Sequence, residues 1–389
     1  MDTIATEAWV LYQGAAHLNG SPGPGELQRE RIEFAGIGPD ELLVEPIYGC
    51  WEANMTHALD RQPIDVCRQR REAKIVLGNA GVLRVLQVGD QVTGFSEGDL
   101  GILFCNGEWD RFGYTVKVFA YDAPGTIGVL AKRTKVHQRQ IIKIPDDADA
   151  DLPAWAAFSL RYVTAWANWN VARRCWQSQM PDVPLSEAHV WGWGGGVTLA
   201  ELALARLDGC QTAMLSSLDS RLKLIEESGI DPIDRRQFGE LEYDEERYQT
   251  DSAYRAAFNA SEASFLETVR EKTGGAGVAI FVDNIGLPVF RPTLKALARQ
   301  GVVTTAGWKC GMNIATIRAL ECINRHIHVH THYASYAEGV QAVDTARQTG
   351  WMAPVDSPIY GWDEIPRLAA DYSADRIDSY FPLFAVNPL

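Results

Sequence analysis

The residues best suited to chemistry stand in one stretch, Ala188-His189-Val190-Trp191-Gly192-Trp193-Gly194-Gly195-Gly196-Val197-Thr198-Leu199-Ala200. A short apolar run enters a glycine cluster. A segment with alanines and leucines at helical spacing leaves it, from Leu199 to Leu207. Strand, tight turn and helix N-terminus in that order let a pyrophosphate approach bare backbone and rest on unpaired N–H groups at the positive end of the helix dipole. An ordinary tight turn has the same local signature, so the context decides. After the helix, Gly209-Cys210-Gln211-Thr212-Ala213-Met214-Leu215-Ser216-Ser217 predicts a second strand, at the spacing of a βαβ unit. An acidic side chain usually closes that strand in NAD-binding proteins. This chain has Ser216 and Ser217, then Arg221 one helical turn on, with Asp219 nearby. Hydroxyls and a guanidinium suit a 2′-phosphate, which favours NADP(H); the other reading of Arg221 is a solvated helix charge.

The elements that must position this turn follow from the rest of the chain. Its 389 residues are 46% hydrophobic with 34 glycines, enough for two domains with their own cores. A formal charge of −14 argues against nucleic acid and anionic membranes as partners. No apolar run reaches the roughly 18–20 residues that span a bilayer, and Met1–Glu7 has neither basic n-region nor signal core. A cytoplasmic protein is expected. Its cysteines are scattered, with no CxxC pair, as buried thiols in a reducing compartment are.

Residues 8–12, 41–49, 77–89, 116–121 and 141–145 carry strand patterns, with Gly-Asp turns at 89–90 and 98–99, as in an antiparallel barrel. Residues 152–170 turn helical. Residues 60–74 and the acidic 235–262 read as surface excursions, the second partly helical. Strand 277–283, helix 289–299 and strand 301–307 then continue an alternation that implies a doubly wound parallel sheet, with ligand at the carboxyl ends of its strands.

With these landmarks the chain resembles the medium-chain dehydrogenase/reductase superfamily along nearly its whole length. The matching stretches are Gly78-Asn79-Ala80-Gly81-Val82, residues 88–99, the turn at 192–198 and Asp283-Asn284-Ile285-Gly286. It is most similar to the crotonyl-CoA carboxylase/reductase branch, through Val190-Trp191-Gly192, Leu215-Ser216-Ser217 and Thr331-His332-Tyr333-Ala334-Ser335-Tyr336. The resemblance implies an α/β protein: a GroES-like β-barrel catalytic domain (1–155 with 335–389) and a Rossmann cofactor domain (156–334), with the active site in the cleft between them. It implies Gly192, Gly195, Gly196 and Val197 at the pyrophosphate and Ser217 with Arg221 at the 2′-phosphate. Asn284, Gly286 and Ala306 would lie along the nicotinamide through backbone contacts. One departure is Thr198 in place of the last glycine, which demands a wider helix–strand approach.

Many members of the superfamily hold a catalytic zinc. Their first ligand position matches Cys50, the second is Asn79 here, and the third falls near Leu160. One ligand of three is not a zinc site, and the structural four-cysteine lobe is absent, with only Cys105 nearby. No family-type metal is expected. His326, His328, His330 and His332 alternate, so a strand would put them on one face, either as an ion site or, more simply, packed at a subunit edge or solvated.

Without a Lewis acid, hydride addition to an activated C=C fits better than reduction of a ketone. In carboxylating relatives an aromatic-Glu pair, an Asn and a C-terminal His position CO2; the matching places here are Tyr121-Asp122, Cys50 and His332, so the set is incomplete. Proton donors for the enolate would come from His332, Tyr48 and Cys50, with Asp122 as a further catalytic candidate. Trp51, Tyr121, Trp193 and Trp308 would line the substrate pocket. The reading is a zinc-independent, NADPH-dependent reductase of an α,β-unsaturated acyl or carbonyl compound, small or carrier-bound, working as a homodimer. Its rivals are a reductive carboxylase and a non-catalytic NADPH-binding partner protein on the same scaffold.

Overall fold

The computed structural model describes residues 3–14, 23–145, 151–307, 323 and 325–388. The chain divides into two compact units, 1–163 with 334–389, and 164–333.

The first unit is antiparallel. Its strands are β1 (Thr3–Tyr12), β2 (Leu27–Ala35), β3 (Glu41–Cys50), β4 (Lys74–Ile75), β5 (Gly81–Val88), β6 (Leu100–Leu103), β7 (Asn106–Trp109), β8 (Thr115–Val118), β9 (Thr134–His137) and β10 (Ile141–Lys143). In β1, Thr6, Ala8 and Val10 alternate inward, the period of a half-buried strand. Its partner β2 is an edge rich in charge, tied across by Arg29–Glu7. The central β3 is buried at seven of its ten positions, because β5, β9 and a C-terminal strand, Leu383–Ala385, all pair with it. Helices α1 (Ala53–Asp60) and α2 (Val66–Arg70) follow β3. Residues 60–74 are therefore not a surface excursion. Val66 and Cys67 are core, and the Arg70 guanidinium is buried against Glu72 and the carbonyl of Thr126.

Helix α3 (Leu152–Gln179) begins in this unit and is apolar on almost every side. This matches the helical run expected from 152, extended by nine residues.

The second unit is a parallel six-stranded sheet built from β11 (His189–Trp193), β12 (Gln211–Ser216), β13 (Asp231–Asp234), β14 (Val278–Asp283), β15 (Leu297–Thr304) and β16 (His328–His330), in the spatial order β13-β12-β11-β14-β15-β16. The helices between them are α4 (Gly196–Leu207), α5 (Asp219–Glu227), α6 (Glu245–Thr250), α7 (Ser252–Lys272) and α8 (Leu287–Ala296). The order runs outward from β11 in one direction and from β14 in the other. The crevice beyond the carboxyl ends of these two strands is thus the switch point where such sheets bind ligands.

The acidic stretch is corrected here. Its 21-residue helix α7 buries Tyr254, Phe258, Phe265 and Val269, so it is a crossover helix packed on the sheet rather than an insertion. Strand β15 also starts at Leu297, inside the expected helix. After β16 the chain returns to the first unit through α9 (Tyr336–Thr349), α10 (Ile365–Ser373) and β17, the strand already placed on β3.

Candidate functional site

In the second unit the glycine turn joins β11 to α4 at the switch point. Gly195 is the N-cap of α4 and offers no side-chain bond, and nothing lies within 4 Å of where its Cβ would stand. The first N–H groups of the helix are therefore presented by bare backbone, as an anion seat requires. Gly194 has φ +148, and Gly192 lies so close to Thr198 that a Cβ there would stand 2.6 Å from Thr198 Cγ2. That contact explains the departure at Thr198: its methyl fills the space left by Gly192, so no wider approach is needed. Its hydroxyl accepts a bond from Asn284 Nδ2 at 2.9 Å.

Asn284 then accepts from the N–H groups of Ala306 (2.8 Å) and Gly307 (3.1 Å), and its own N–H donates to Trp193 O. One residue thus links the ends of β11, β14 and β15 with the first turn of α4. Gly286 caps α8 at φ +92, and its N–H donates to Asp283 Oδ1. Burial pushes the Asp283 carboxyl up, against bonds from Gly286 N–H and Thr293 Oγ1. The N–H groups of Gly286 and Ala306 are engaged within the chain, so these two residues have carbonyls, not N–H groups, left to offer a ligand. Val197 is half-buried in the first turn of α4.

Ser217 is exposed just past β12, and Arg221 is half-buried on α5. The register pairs Ser216 with Asp234, which brings Arg236 to the same edge, where it bridges Asp219 (2.5 Å) and Asp234 (2.7 Å). No local pattern signals that bridge, because it depends on which strands are neighbours. His332 is half-buried beyond β16; its carbonyl accepts from Asn168 Nδ2 at 3.1 Å and its ring lies 5.7 Å from that of His330. His328 and His330 share one half-buried face, whereas His326 is exposed at φ +54 and falls outside the strand. Among the described residues no three metal-capable side chains converge.

Three expectations are corrected. Trp193 does not line a pocket: it is 1% exposed, stacked on Phe265 at 5.3 Å and beside Phe281. Period two puts it on the same buried face as Trp191. Trp51 is 0% exposed, part of the first unit's core, with its indole N–H on Thr56. Cys50 is no proton donor: burial pushes its thiol up to about 12, despite the guanidinium of Arg161. Trp308 lies outside the described residues.

Elsewhere in the first unit, Tyr48 is half-buried on β3 between Val82 and Ala385. Tyr121 is half-buried against the core, and Asp122 closes a turn by accepting the Val118 N–H at 2.6 Å.

Around Cys50 the donor set does not fit a zinc ion. Arg161 Nη1 donates to Cys50 Sγ at 2.6 Å and Nη2 to Trp51 O at 2.8 Å, and the guanidinium pairs with Glu52 at 3.2 Å. A zinc ligand must be a thiolate, and here the sulfur is a buried thiol already bonded to a cation. Burial also pushes the Glu52 carboxyl up to about 7, opposed by Arg161. The sequence analysis missed Arg161 and Glu52. Arg161 is the lone charge between Leu152 and Asn170, and a single charge in so apolar a helix signals a buried partner.

No family model and no curated protein matches the chain. Solved structures do. Crotonyl-CoA carboxylase/reductase AntE, solved in complex with NADP, aligns with TM-score 0.79 at 20% identity over 99% of this chain and 95% of its own. The 2-octenoyl-CoA carboxylase reductase CinF, solved with NADP and 2-octenoyl-CoA, gives 0.77 at 18% identity over 99% and 88%. An alcohol dehydrogenase of the hyperthermophilic archaeon Aeropyrum pernix gives 0.72 at 19% identity over 97% and 99%. The chain has the fold of the medium-chain dehydrogenase/reductases. A GroES-like unit and a Rossmann unit are what its antiparallel and parallel sheets amount to.

Proposed function

We propose that the protein is a zinc-independent, NADPH-dependent reductase of an activated C=C bond in an α,β-unsaturated acyl or carbonyl compound. The observation that carries this reading is the bare helix N-terminus at Gly195, set at the switch point of the sheet. Two neighbours of the same fold were solved with NADP. Gly192, Gly195, Gly196 and Val197 would hold the pyrophosphate, and Ser217 with Arg221 the 2′-phosphate. The carbonyls of Gly286 and Ala306 would face the nicotinamide. NADPH, when bound, supplies the hydride that adds to the β-carbon. The substrate's own carbonyl takes the charge as an enolate, and His332 donates the proton to its α-carbon, an imidazole being suited to that at neutral pH. Tyr48 is the second candidate donor.

A reductive carboxylase is the second reading, favoured by the names of AntE and CinF. Against it, Asp122 stands where that branch has Glu and has an oxygen committed to the Val118 turn. We also infer a homodimer, since among the described residues β16 ends the sheet with no further strand on it, and a cytoplasmic location; among the described residues no helix is long and apolar enough to cross a membrane.

Fluorescence titration of chelator-treated protein with NADPH and NADH tests the reading. Tight binding of NADPH over NADH, followed by enoyl thioester reduction whose product mass is unchanged by bicarbonate, is expected. A bicarbonate-dependent gain in product mass moves the assignment to the carboxylase. Failure to bind either nucleotide overturns both.

A further inference from the structure

The buried charge that this mechanism leaves unused lies at Cys50, where three segments of the first unit meet. Cys50 ends β3, and its N–H donates to Ala80 O at 3.1 Å, which draws residues 79–81 alongside. The N–H of Gly81 donates to Ser159 Oγ at 2.8 Å, which draws in α3, with Arg161 two residues further on. The guanidinium then donates to two successive residues, Cys50 through sulfur and Trp51 through its carbonyl, and pairs by charge with the third, Glu52, whose Oε1 lies 3.2 Å away without a hydrogen bond of its own. Arg161 is 6% exposed and its ring-face neighbour is Phe381, so the cation is sealed from water. Asn79 is 1% exposed, and neither its amide nitrogen nor its oxygen has a hydrogen-bond partner in the structure.

We propose that the Arg161 guanidinium is the resident cation of this site, standing on Cys50 Sγ in place of a metal ion and excluding one from it. The inference rests on the zinc-independent reading and deepens it by naming what replaces the ion.

The chemistry of the groups agrees. A guanidinium is charged at every working pH, and its planar fork is satisfied by several acceptors at once. A metal ion entering here would have to displace it from all three partners and leave it unpaired in a dry interior. The two kinds of site also differ in use. A chelator empties a metal site but leaves this one unchanged, and its charge is set by the sequence rather than by metal supply.

Metal uptake tests the proposal without turnover or nucleotide. Wild-type protein incubated with excess zinc and then desalted is expected to hold none. The double variant Asn79→His/Arg161→Cys is expected to take up Co2+ with intense d–d and sulfur-to-metal bands, lost again when Cys50→Ser is added. The proposal is overturned if wild type retains stoichiometric zinc that Cys50→Ser removes, or if the folded double variant shows no cobalt spectrum. Should that variant not fold, Arg161→Ala replaces it. Its lowered melting temperature is expected to recover with methylguanidinium and not with zinc; recovery with zinc alone would refute the assignment. NADPH titration of the same samples reports separately on the proposed activity, so either idea can fail alone.

Discussion

At the turn of residues 192–198 the polar groups on offer are the backbone N–H groups of a helix whose N-cap has no side chain, whereas at Cys50 they are side chains already bound to one another. The first arrangement is open and needs only small residues in the right order. Its side chains, Thr198 and Asn284, hold the backbone in place rather than reach for a ligand. The second is closed, and its chemistry lies wholly in residue identity. A backbone seat survives wide sequence divergence because any sequence that makes the turn makes the seat. A side-chain site can change its chemistry with one substitution.

The comparison predicts its largest effect at Arg161. Truncation to Ala leaves Glu52 buried without its partner, and breaking a buried pair costs about 3–5 kcal/mol. Denaturant unfolding should show a loss of that size, insensitive to salt; a loss below about 1 kcal/mol is the value of an exposed pair and would show that the charge is not sealed. In the open region the corresponding substitution is Asn284→Ala. It removes the donor to Thr198 and the acceptor of Ala306 and Gly307, each bond being worth about 0.5–1.5 kcal/mol. A stability loss of about 1–3 kcal/mol, with weakened NADPH binding, is expected. Unchanged nucleotide affinity would mean that the turn holds its shape without this link.

The two regions were unequally legible in the sequence, for one physical reason. Strand, glycine turn and helix at 188–207 are local, and their order could be read off residue by residue. The Cys50 cluster depends on a bond between residues 111 apart in the chain, which no local pattern encodes. The tryptophans show the same limit. Trp193 and Trp51 were expected in a pocket from residue type alone, but only the sheet and its covering helices decide which face is dry. Helix α7 was hidden by the acidic run that precedes it, Glu240 to Asp251, although Tyr254, Phe258, Phe265 and Val269 lie at helical spacing within it. Lone charges in apolar helices were the neglected signal. Arg161 is one, and Glu201 in Val197–Ala205 is another.

Glu201 sharpens the contrast, since it is a buried carboxyl with no ion pair among the described residues. It is 1% exposed on α4, its Oε1 has no hydrogen-bond partner, and burial raises its carboxyl well above the usual range. A carboxyl with a raised folded-state value binds its proton more tightly folded than unfolded. Its contribution is therefore full at acid pH, below the unfolded value, and is lost as pH rises through the folded one. Glu201→Gln should leave the melting temperature near pH 4 almost unchanged and raise it progressively toward neutral and alkaline pH. A constant difference across that range would show that Glu201 has a partner for its charge.

The smallest expected effect belongs to Arg221 and decides the cofactor. Two guanidiniums reach the edge where β12 and β13 end, but Arg236 is already bridged to Asp219 and Asp234, so a 2′-phosphate would have to compete with two carboxylates for it. Arg221, on the first turns of α5 one helical turn past Ser217, is the reader proposed here. Arg221→Ala should weaken NADPH about tenfold, or ~1.4 kcal/mol, and leave NADH unchanged. Because the contact is near the surface, the difference should shrink as salt rises from 0.05 to about 0.5 M. Equal losses for both nucleotides would place Arg221 on the shared pyrophosphate and move discrimination to Arg236. Asp219→Asn should then raise NADPH affinity by freeing that guanidinium.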